Sequence, residues 1–484
     1  LIVMADIHHH QPLSQKAVWV VGCRIIGIGA TLASNVLVAR LLGPGEFGTY
    51  ILITTVMALG GLVGMAGLNE AALRFISESL AHGNPWLARA YRNRALVTSA
   101  MAGVVACLAA TVVLAFMLTG KPITNLASLL ALVAVGTAIL GWQQLGAELV
   151  RAYGDLRVAS LFSGGQAGGP LSNLIFLAGI CAGAVGLVRL DVNWTVALAV
   201  LSVGLTCPLV YNALGKLGRL PAGSTPDSAD LSASQRRELF TVGSILLANQ
   251  LLAFATLQID IWLAGGILSA EALGLYGAAK RSLLIAAMPV QMAMLTIVST
   301  IPRLHAQRKK QQLEQVVRSA AAAAAIPSLV AIAALILFPG QVLTFVLGSA
   351  YASAAPALVV MAIGHIVLVL SGNPQHVLAM TGRHRAVLVV NVLSATLLLT
   401  LGALGAALFG AVGLAAAAAA SVALQNGLLW VVAHRELGIW THVGRFNVSH
   451  PQSVPEVVIR EPKRGKAAPE FSAPIADPVP SSPV

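Results

Sequence analysis

Apolar residues gather along this chain into runs long enough to cross a bilayer, which takes about 20 consecutive residues in helical form. The runs fall near 17–41, 47–69, 96–118, 126–149, 158–182 and 193–213. A second set falls near 239–265, 273–301, 319–338, 352–376, 386–409 and 411–433. The pattern predicts an all-α polytopic membrane protein of 12 transmembrane helices in two sets of six. The first run lacks a small-residue cleavage site and is read as an uncleaved helix. Two stretches stay polar. Residues 214–238, with Gly, Ser, Pro and the pair Arg236 and Arg237, are expected to connect the halves. Residues 434–484, rich in proline and without an apolar run, are expected to be a disordered tail. In the leading tail, 1–16, the histidines His8, His9 and His10 are read as solvated or adventitious rather than metal-binding.

Composition removes the soluble alternatives. Hydrophobic residues make up 57% and charged residues only 10%, where an ordinary soluble protein carries about a quarter charged. The net charge of +12 is therefore read as loop topology and not as affinity for nucleic acid. Arg74, Arg89, Arg92 and Arg94 follow the second run, and Arg151 and Arg157 the fourth. Lys216, Arg219, Arg236 and Arg237 follow the sixth; Arg303, Arg308, Lys309, Lys310 and Arg318 follow the eighth. Arg383 and Arg385 follow the tenth, and the tail carries six more basic residues. The opposite loops offer Lys121 and Arg189, with Arg40 at a helix end. Both termini and the even-numbered loops are thus expected to be cytoplasmic. Cys23, Cys107, Cys181 and Cys207 all lie in apolar runs, so neither a disulfide nor a metal site is expected, and no cofactor.

The two sets of helices repeat one another. Glu46-Phe47-Gly48-Thr49-Tyr50 recurs as Glu271-Ala272-Leu273-Gly274-Leu275-Tyr276, with Gly48 to Gly274 and Tyr50 to Tyr276 both 226 positions apart. Leu87 and Arg92 recur at the same offset as Leu313 and Arg318. An even number of helices per half makes the repeats parallel, related by an axis along the membrane normal, with the binding site between them near mid-bilayer. That is the plan of a transporter.

The segments from Ala39 to Tyr50, from Gly67 to Ser77, and from Asp260-Ile261-Trp262-Leu263-Ala264-Gly265 through Glu271 to Tyr276 resemble bacterial polysaccharide flippases. These are the oligosaccharide repeat-unit (Wzx-type) exporters of the multidrug/oligosaccharidyl-lipid/polysaccharide (MOP) superfamily. The resemblance spans roughly residues 15–435. It implies two six-helix lobes in a V that opens alternately to each side of the cytoplasmic membrane. The implied cargo is an oligosaccharide on undecaprenyl pyrophosphate, moved outward by a monomeric unit beside the polymerase and glycosyltransferases of its pathway. A multidrug antiporter of the same superfamily is the first alternative, but would want an acid where the first helix offers Arg24. The peptidoglycan-precursor flippase typically has two further helices. A membrane glycosyltransferase would want a long outer loop with carboxylates, and the outer connectors here are short and nearly acid-free. No catalytic residue is expected.

Charges inside spans cost several kcal/mol unless paired or hydrated, so they are the first candidates for substrate contact. Arg24 lies about 12 Å into the first helix at 1.5 Å per residue, with no Asp or Glu between Lys16 and Glu46. The repeat offset maps it onto Gln250, so this charge is not duplicated. Lys280 and Arg281 lie in the outer half of the eighth run, at a depth where Asp260 can pair with one of them. An unpaired cation facing a wet cavity would suit a pyrophosphate, Arg through its planar fork of donors. Asn35, Asn249 and Gln250 are candidates for sugar hydroxyls, with helix–helix hydrogen bonds the competing role. Gln143, Gln144 and Glu148 also approach a cavity, Glu148 within reach of Arg151. Gly60 with Gly64, and Gly164 and Gly165 with Gly168 and Gly169, are spaced for close helix packing, and Pro170 and Pro289 are expected to bend their helices.

Overall fold

The structure, a computed structural model, describes residues 13–119, 125–164, 168–187, 191–217, 231–297 and 300–444. His8–His10, Lys121, Gly165, Arg189, Arg219 and the tail from Arg445 lie outside the described residues. Helices α1 (Leu13–Gly64), α2 (Leu68–Ala81), α3 (Pro85–Leu118), α4 (Leu126–Ala152), α5 (Leu156–Phe162), α6 (Pro170–Ala182) and α7 (Val192–Leu217) form the N-terminal half. The C-terminal half holds α8 (Ala233–Ile267), α9 (Ala270–Ile297), α10 (Thr300–Ala306), α11 (Lys310–Leu337), α12 (Pro339–Leu347), α13 (Ala355–Ser371), α14 (Pro374–Met380) and α15 (His384–Leu437). Among the described residues there is no strand.

Among the described residues, eight helical stretches are long and apolar enough to span a membrane. Two of them are double-length. α1 is broken at Gly43 (φ 74), where Pro44 opens the second arm, and α15 at Gly410 (φ 60). A positive φ is accessible to glycine without a Cβ clash, and proline is preset for the first helical turn, so the pair Gly43-Pro44 reverses the chain tightly. Dividing these two, and adding α9 and the α5–α6 pair, accommodates the twelve expected spans. Within the expected fifth span α5 ends at Phe162 and α6 begins at Pro170, so this proline starts a helix rather than bending one. Pro289 stays inside α9. α8 starts at Ala233, inside the expected connector, behind a Ser232–Gln235 capping box.

The helix ends sort by charge. Arg74, Arg92, Arg151, Lys216, Arg237, Lys310, Arg383 and Arg435 all lie on the face where α1 begins, here the near face. The far face carries Glu46, Asp191, Glu271 and Arg40.

The repeat appears in the packing. A Cβ built on Gly48 would lie 2.2 Å from the Ala270 carbonyl oxygen, and one on Gly274 would lie 1.8 Å from that of Pro44. Residues 44 and 270 are themselves related by the 226 offset, so the two contacts are one contact seen from each half. Gly48 and Gly274 therefore meet backbone to backbone on the pseudo-two-fold axis. The other predicted small-residue contacts are also packing positions: a Cβ at Gly60 would meet Thr137, and one at Gly169 would meet Phe162.

After α15 the chain does not leave the fold at once, unlike the expected disordered tail. Residues 438–444 form a strap across the near face, with Ile439 and Thr441 buried. Thr441 Oγ1 donates to Ser371 O (2.7 Å), and Val443 N to Leu370 O (3.0 Å). Trp440 stacks on His434 with ring centroids 3.6 Å apart, and Trp430 Nε1 donates to His442 Nδ1 (3.3 Å). Burial, and then the nearby Arg318 charge, hold the His442 imidazole below its usual value. A base with a depressed pKa stabilises the docked form above its free value, near 6.5, and loses that contribution as pH falls through the docked value. Amide exchange across 438–444 is expected to quicken as pH drops from about 7.5 to 5, after correction for intrinsic rates, and a His442→Gln protein should lose that dependence.

Candidate substrate cavity between the halves

On α9, positions 270, 274, 277 and 281 fall on one helix face by their spacing of four, three and four. Toward the far face this stripe is sealed against the second arm of α1: Ala270 and Gly274 against residues 44–48, Gly277 against Ile51. Arg281 is the next member, its guanidinium 5.7 Å from the centroid of the Phe47 ring. Continued toward the near face, the stripe reaches Leu284 and Ile285, 43% and 42% exposed. Along this stripe the contact with the second arm of α1 runs from Ala270 to Gly277, with Arg281 beside it against Phe47.

The first arm of α1 carries the other candidate residues, Arg24 and Asn35. It packs along one side only, Gly27 against Pro170 and Thr31 Oγ1 accepting from Asn173 Nδ2 (2.8 Å). Arg24 and Asn35 are eleven residues apart, about three turns, so they share a face flanking that contact. Arg24 is exposed and Asn35 half-buried, and neither has a hydrogen-bond or ionic partner among the described residues. Arg281 likewise has no carboxylate partner among them.

Lys280 is different. Its ammonium lies 2.7 Å from Asp260 Oδ1 and donates to Leu257 O at 2.6 Å. Asp260, 5% exposed, also accepts from Tyr276 Oη (2.8 Å) and from the Ile261 amide (2.9 Å). A carboxylate with three donors and a paired ammonium form a satisfied structural unit. Of the three candidate cations, Arg24 and Arg281 are left without an anion.

The amide candidates divide as well. Asn249 is exposed on α8 without a partner among the described residues. Gln250 Nε2 donates to Glu70 Oε1 (2.9 Å) and Asn69 Oδ1 (3.3 Å), joining α8 to α2, while its own Oε1 is buried and unbonded. Glu148 pairs with Arg151 at 2.8 Å as the spacing indicated, and Arg151 also reaches Ser163 Oγ at 2.8 Å. Gln143 is fully buried in an amide–hydroxyl knot, its Nε2 2.6 Å from both Ser172 Oγ and Thr206 Oγ1.

The sequence did not point to the far-face closure. Arg40 Nε donates to Val346 O (2.8 Å) and its Nη2 to Phe345 O, carbonyls left open in the last turn of α12. Tyr351 Oη donates to Ala39 O (2.8 Å) and its ring meets Phe47 edge-on. A hairpin of the C-terminal half thus clasps the end of the first α1 arm. Only Arg40 had a signal, a lone cation at a helix end. If this clasp holds the far face shut, Arg40→Ala shifts the balance toward far-face opening. An Ile51→Cys reporter, without native cysteines, should then react with impermeant maleimide about tenfold faster from that side, since charged hydrogen bonds contribute about 1.5–3 kcal/mol.

A bundle of long apolar helices built as two repeated halves defines a multi-pass membrane protein. Its structure resembles that of an inward-facing multidrug-resistance MATE-family transporter of the MOP superfamily (TM-score 0.66, 14% identity, 87% of this chain and 98% of that one). It also resembles the lipid II flippase MurJ in an inward closed conformation (TM-score 0.65, 10% identity, 87% of each chain). A third similar structure is a MOP-superfamily transporter from Pyrococcus furiosus with a binding pocket of reverse polarity (TM-score 0.56, 16% identity, 87% and 95%). No curated protein matches the sequence. Over residues 37–356 the sequence matches the family described as polysaccharide biosynthesis protein, and the chain belongs to that family.

Proposed function

We propose that this protein is a flippase that carries an oligosaccharide repeat unit on an undecaprenyl-pyrophosphate type of lipid from the cytoplasmic to the outer leaflet. The reading places it in a bacterial cytoplasmic membrane with the near face, rich in Lys and Arg, in the cytoplasm. It would serve O-antigen, exopolysaccharide or capsule assembly, between the glycosyltransferases that build the unit and the polymerase that consumes it.

One observation carries the reading: Arg24 and Arg281, both inside long apolar helices, have no anionic partner among the described residues. Uncompensated cations within a membrane protein call for an anionic cargo, and a pyrophosphate offers oxygens that a guanidinium fork can engage in pairs. A site for cationic drugs would need a free carboxylate in the same place, and Asp260 is committed to Lys280 and Tyr276. The single-sided packing of the first α1 arm leaves a flank along which a lipid tail can stay in the bilayer while its headgroup enters.

Deletion of the gene, followed by analysis of lipid-linked intermediates on each leaflet, tests the proposal. Complete repeat units on the carrier should accumulate on the inner leaflet. Accumulation of bare carrier would overturn it in favour of a synthetic role, and accumulation of a peptidoglycan precursor in favour of that cargo.

A further inference from the structure

The connector between α11 and α13 differs from its neighbours on the far face. Those carry Glu46, Asp191 and Glu271, whereas no residue from 319 to 382 is Asp, Glu, Lys or Arg. Its helix α12 has two unlike sides. Leu343 and Leu347 are buried, and Val342 and Val346 pack partly buried beside them against the core. On the other side Phe345 is 82% exposed, and Phe338, just before the helix, is 55% exposed. Aromatic rings left bare in water forfeit the gain of burial, and an exposed apolar patch marks an interaction surface.

What covers this patch follows from the helix before it. On α11, Ile326, Val330, Ala333 and Leu337 are exposed at a spacing of four, three and four, which is one helix face. α11 is long and apolar enough to span a membrane, so this outward face meets lipid chains. In sequence the stripe runs on into Phe338, and α12 starts at Pro339. α12 therefore begins where a span leaves the hydrocarbon core, at the level of the headgroups. A helix with one apolar outer side at that depth has the anatomy of an interfacial helix. Beside it lies a shallow groove of about 600 Å³, lined by Gly340, Gln341, Thr344, Phe345 and Ala352. The polar groups there are an amide and a hydroxyl, which suit the ester and hydroxyl oxygens of a headgroup layer. A protein partner is less well served, since the patch offers no charge to fix its register.

We propose that α12 is an interfacial anchor, lying in the headgroup layer of the far leaflet with Phe338 and Phe345 seated among the lipid chains. The same helix carries the far-face clasp, because Arg40 donates to the carbonyls of Phe345 and Val346. Phe345 thus joins the two, its ring in the lipid and its carbonyl on Arg40. The leaflet holds α12, and α12 holds the end of the first α1 arm. This link operates whatever the cargo is.

The test uses the full-length protein without native cysteines, in lipid nanodiscs, labelled with the fluorophore NBD at Phe345→Cys. Two reference positions frame the reading. Phe116→Cys is equally exposed (82%) within the span α3, and His82→Cys lies exposed in the turn between α2 and α3. Lipid bearing a nitroxide near its headgroup should quench the label at 345 as strongly as at 116. Aqueous iodide should quench only the label at 82. Iodide quenching at 345 equal to that at 82 would overturn the anchor in favour of a bare loop. Protection from both quenchers would reject it in favour of a protein partner or a second copy of the chain. In sealed vesicles, Phe338→Ser combined with Phe345→Ser should speed far-side maleimide labelling of the Ile51→Cys reporter about tenfold, the scale of losing one partly buried aromatic side chain. An unchanged rate in that variant would refute the link between the anchor and closure.

Discussion

Arg24→Ala and Arg281→Ala are each expected to abolish polysaccharide export in a complemented deletion strain while the protein reaches the membrane at its normal level. Each guanidinium is taken to make at least one charge-assisted bond to the pyrophosphate. Such a bond contributes about 1.5–3 kcal/mol, so its loss lowers cargo affinity about 10- to 100-fold. Neither side chain has an anionic partner among the described residues, so removing it orphans no buried carboxylate. Stability should therefore change little, which is what separates a cargo contact from a structural one. Arg24→Lys distinguishes charge from fork geometry: full rescue means that charge alone suffices. The neighbouring pair supplies the contrast. Asp260→Ala leaves the Lys280 ammonium uncompensated and should cost about 3–5 kcal/mol, whereas the double change Asp260→Asn with Lys280→Met should be tolerated and keep export. Normal export by Arg24→Ala or Arg281→Ala at normal protein level would remove that residue from the cargo site.

The second large effect is expected on the axis between the halves. Gly274→Ala places a Cβ 1.8 Å from the Pro44 carbonyl oxygen, and Gly48→Ala places one 2.2 Å from that of Ala270. Both obstacles are backbone, which no side-chain rotation relieves, so α1 and α9 must move apart along their whole contact. Overpacking of this kind costs about 1–3 kcal/mol when a core can adjust and more when it cannot. Each substitution should lower the melting temperature of the purified protein by several degrees. Far-face closure should weaken alongside, read as faster labelling of the Ile51→Cys reporter. Gly45→Ala, with no atom within 4 Å of the added carbon, is the matched control and should behave like the unaltered protein.

The spans were legible because a bilayer imposes one rule on every crossing segment, about 20 apolar residues with internally satisfied backbone. The sidedness of charge was legible from the loops that carry Lys and Arg, and among the described residues the structure keeps the near-face and far-face groups apart. The repeat could be read from the offset of Gly48 and Gly274. Their meeting on the axis could not, since a pairwise approach of backbones leaves no mark in either local sequence. The helix breaks were visible only as glycines and a proline. Composition does not say whether Gly168-Gly169-Pro170 bends a helix or ends one.

Sequence alone thus determined the class, the number of halves and the short list of intramembrane charges, because hydropathy and charge act residue by residue along the chain. The tertiary structure decided which of those charges are free. Lys280 and Arg281 are adjacent in sequence and equal in charge, yet a helix turns about 100° between neighbours. One therefore points at Asp260 and the other at the seam with α1. The same rotation set Asn69, Gln144, Glu148 and Ser163, from separate segments, around a single cavity. Pairing and enclosure depend on what lies across the gap, and only the folded chain supplies that.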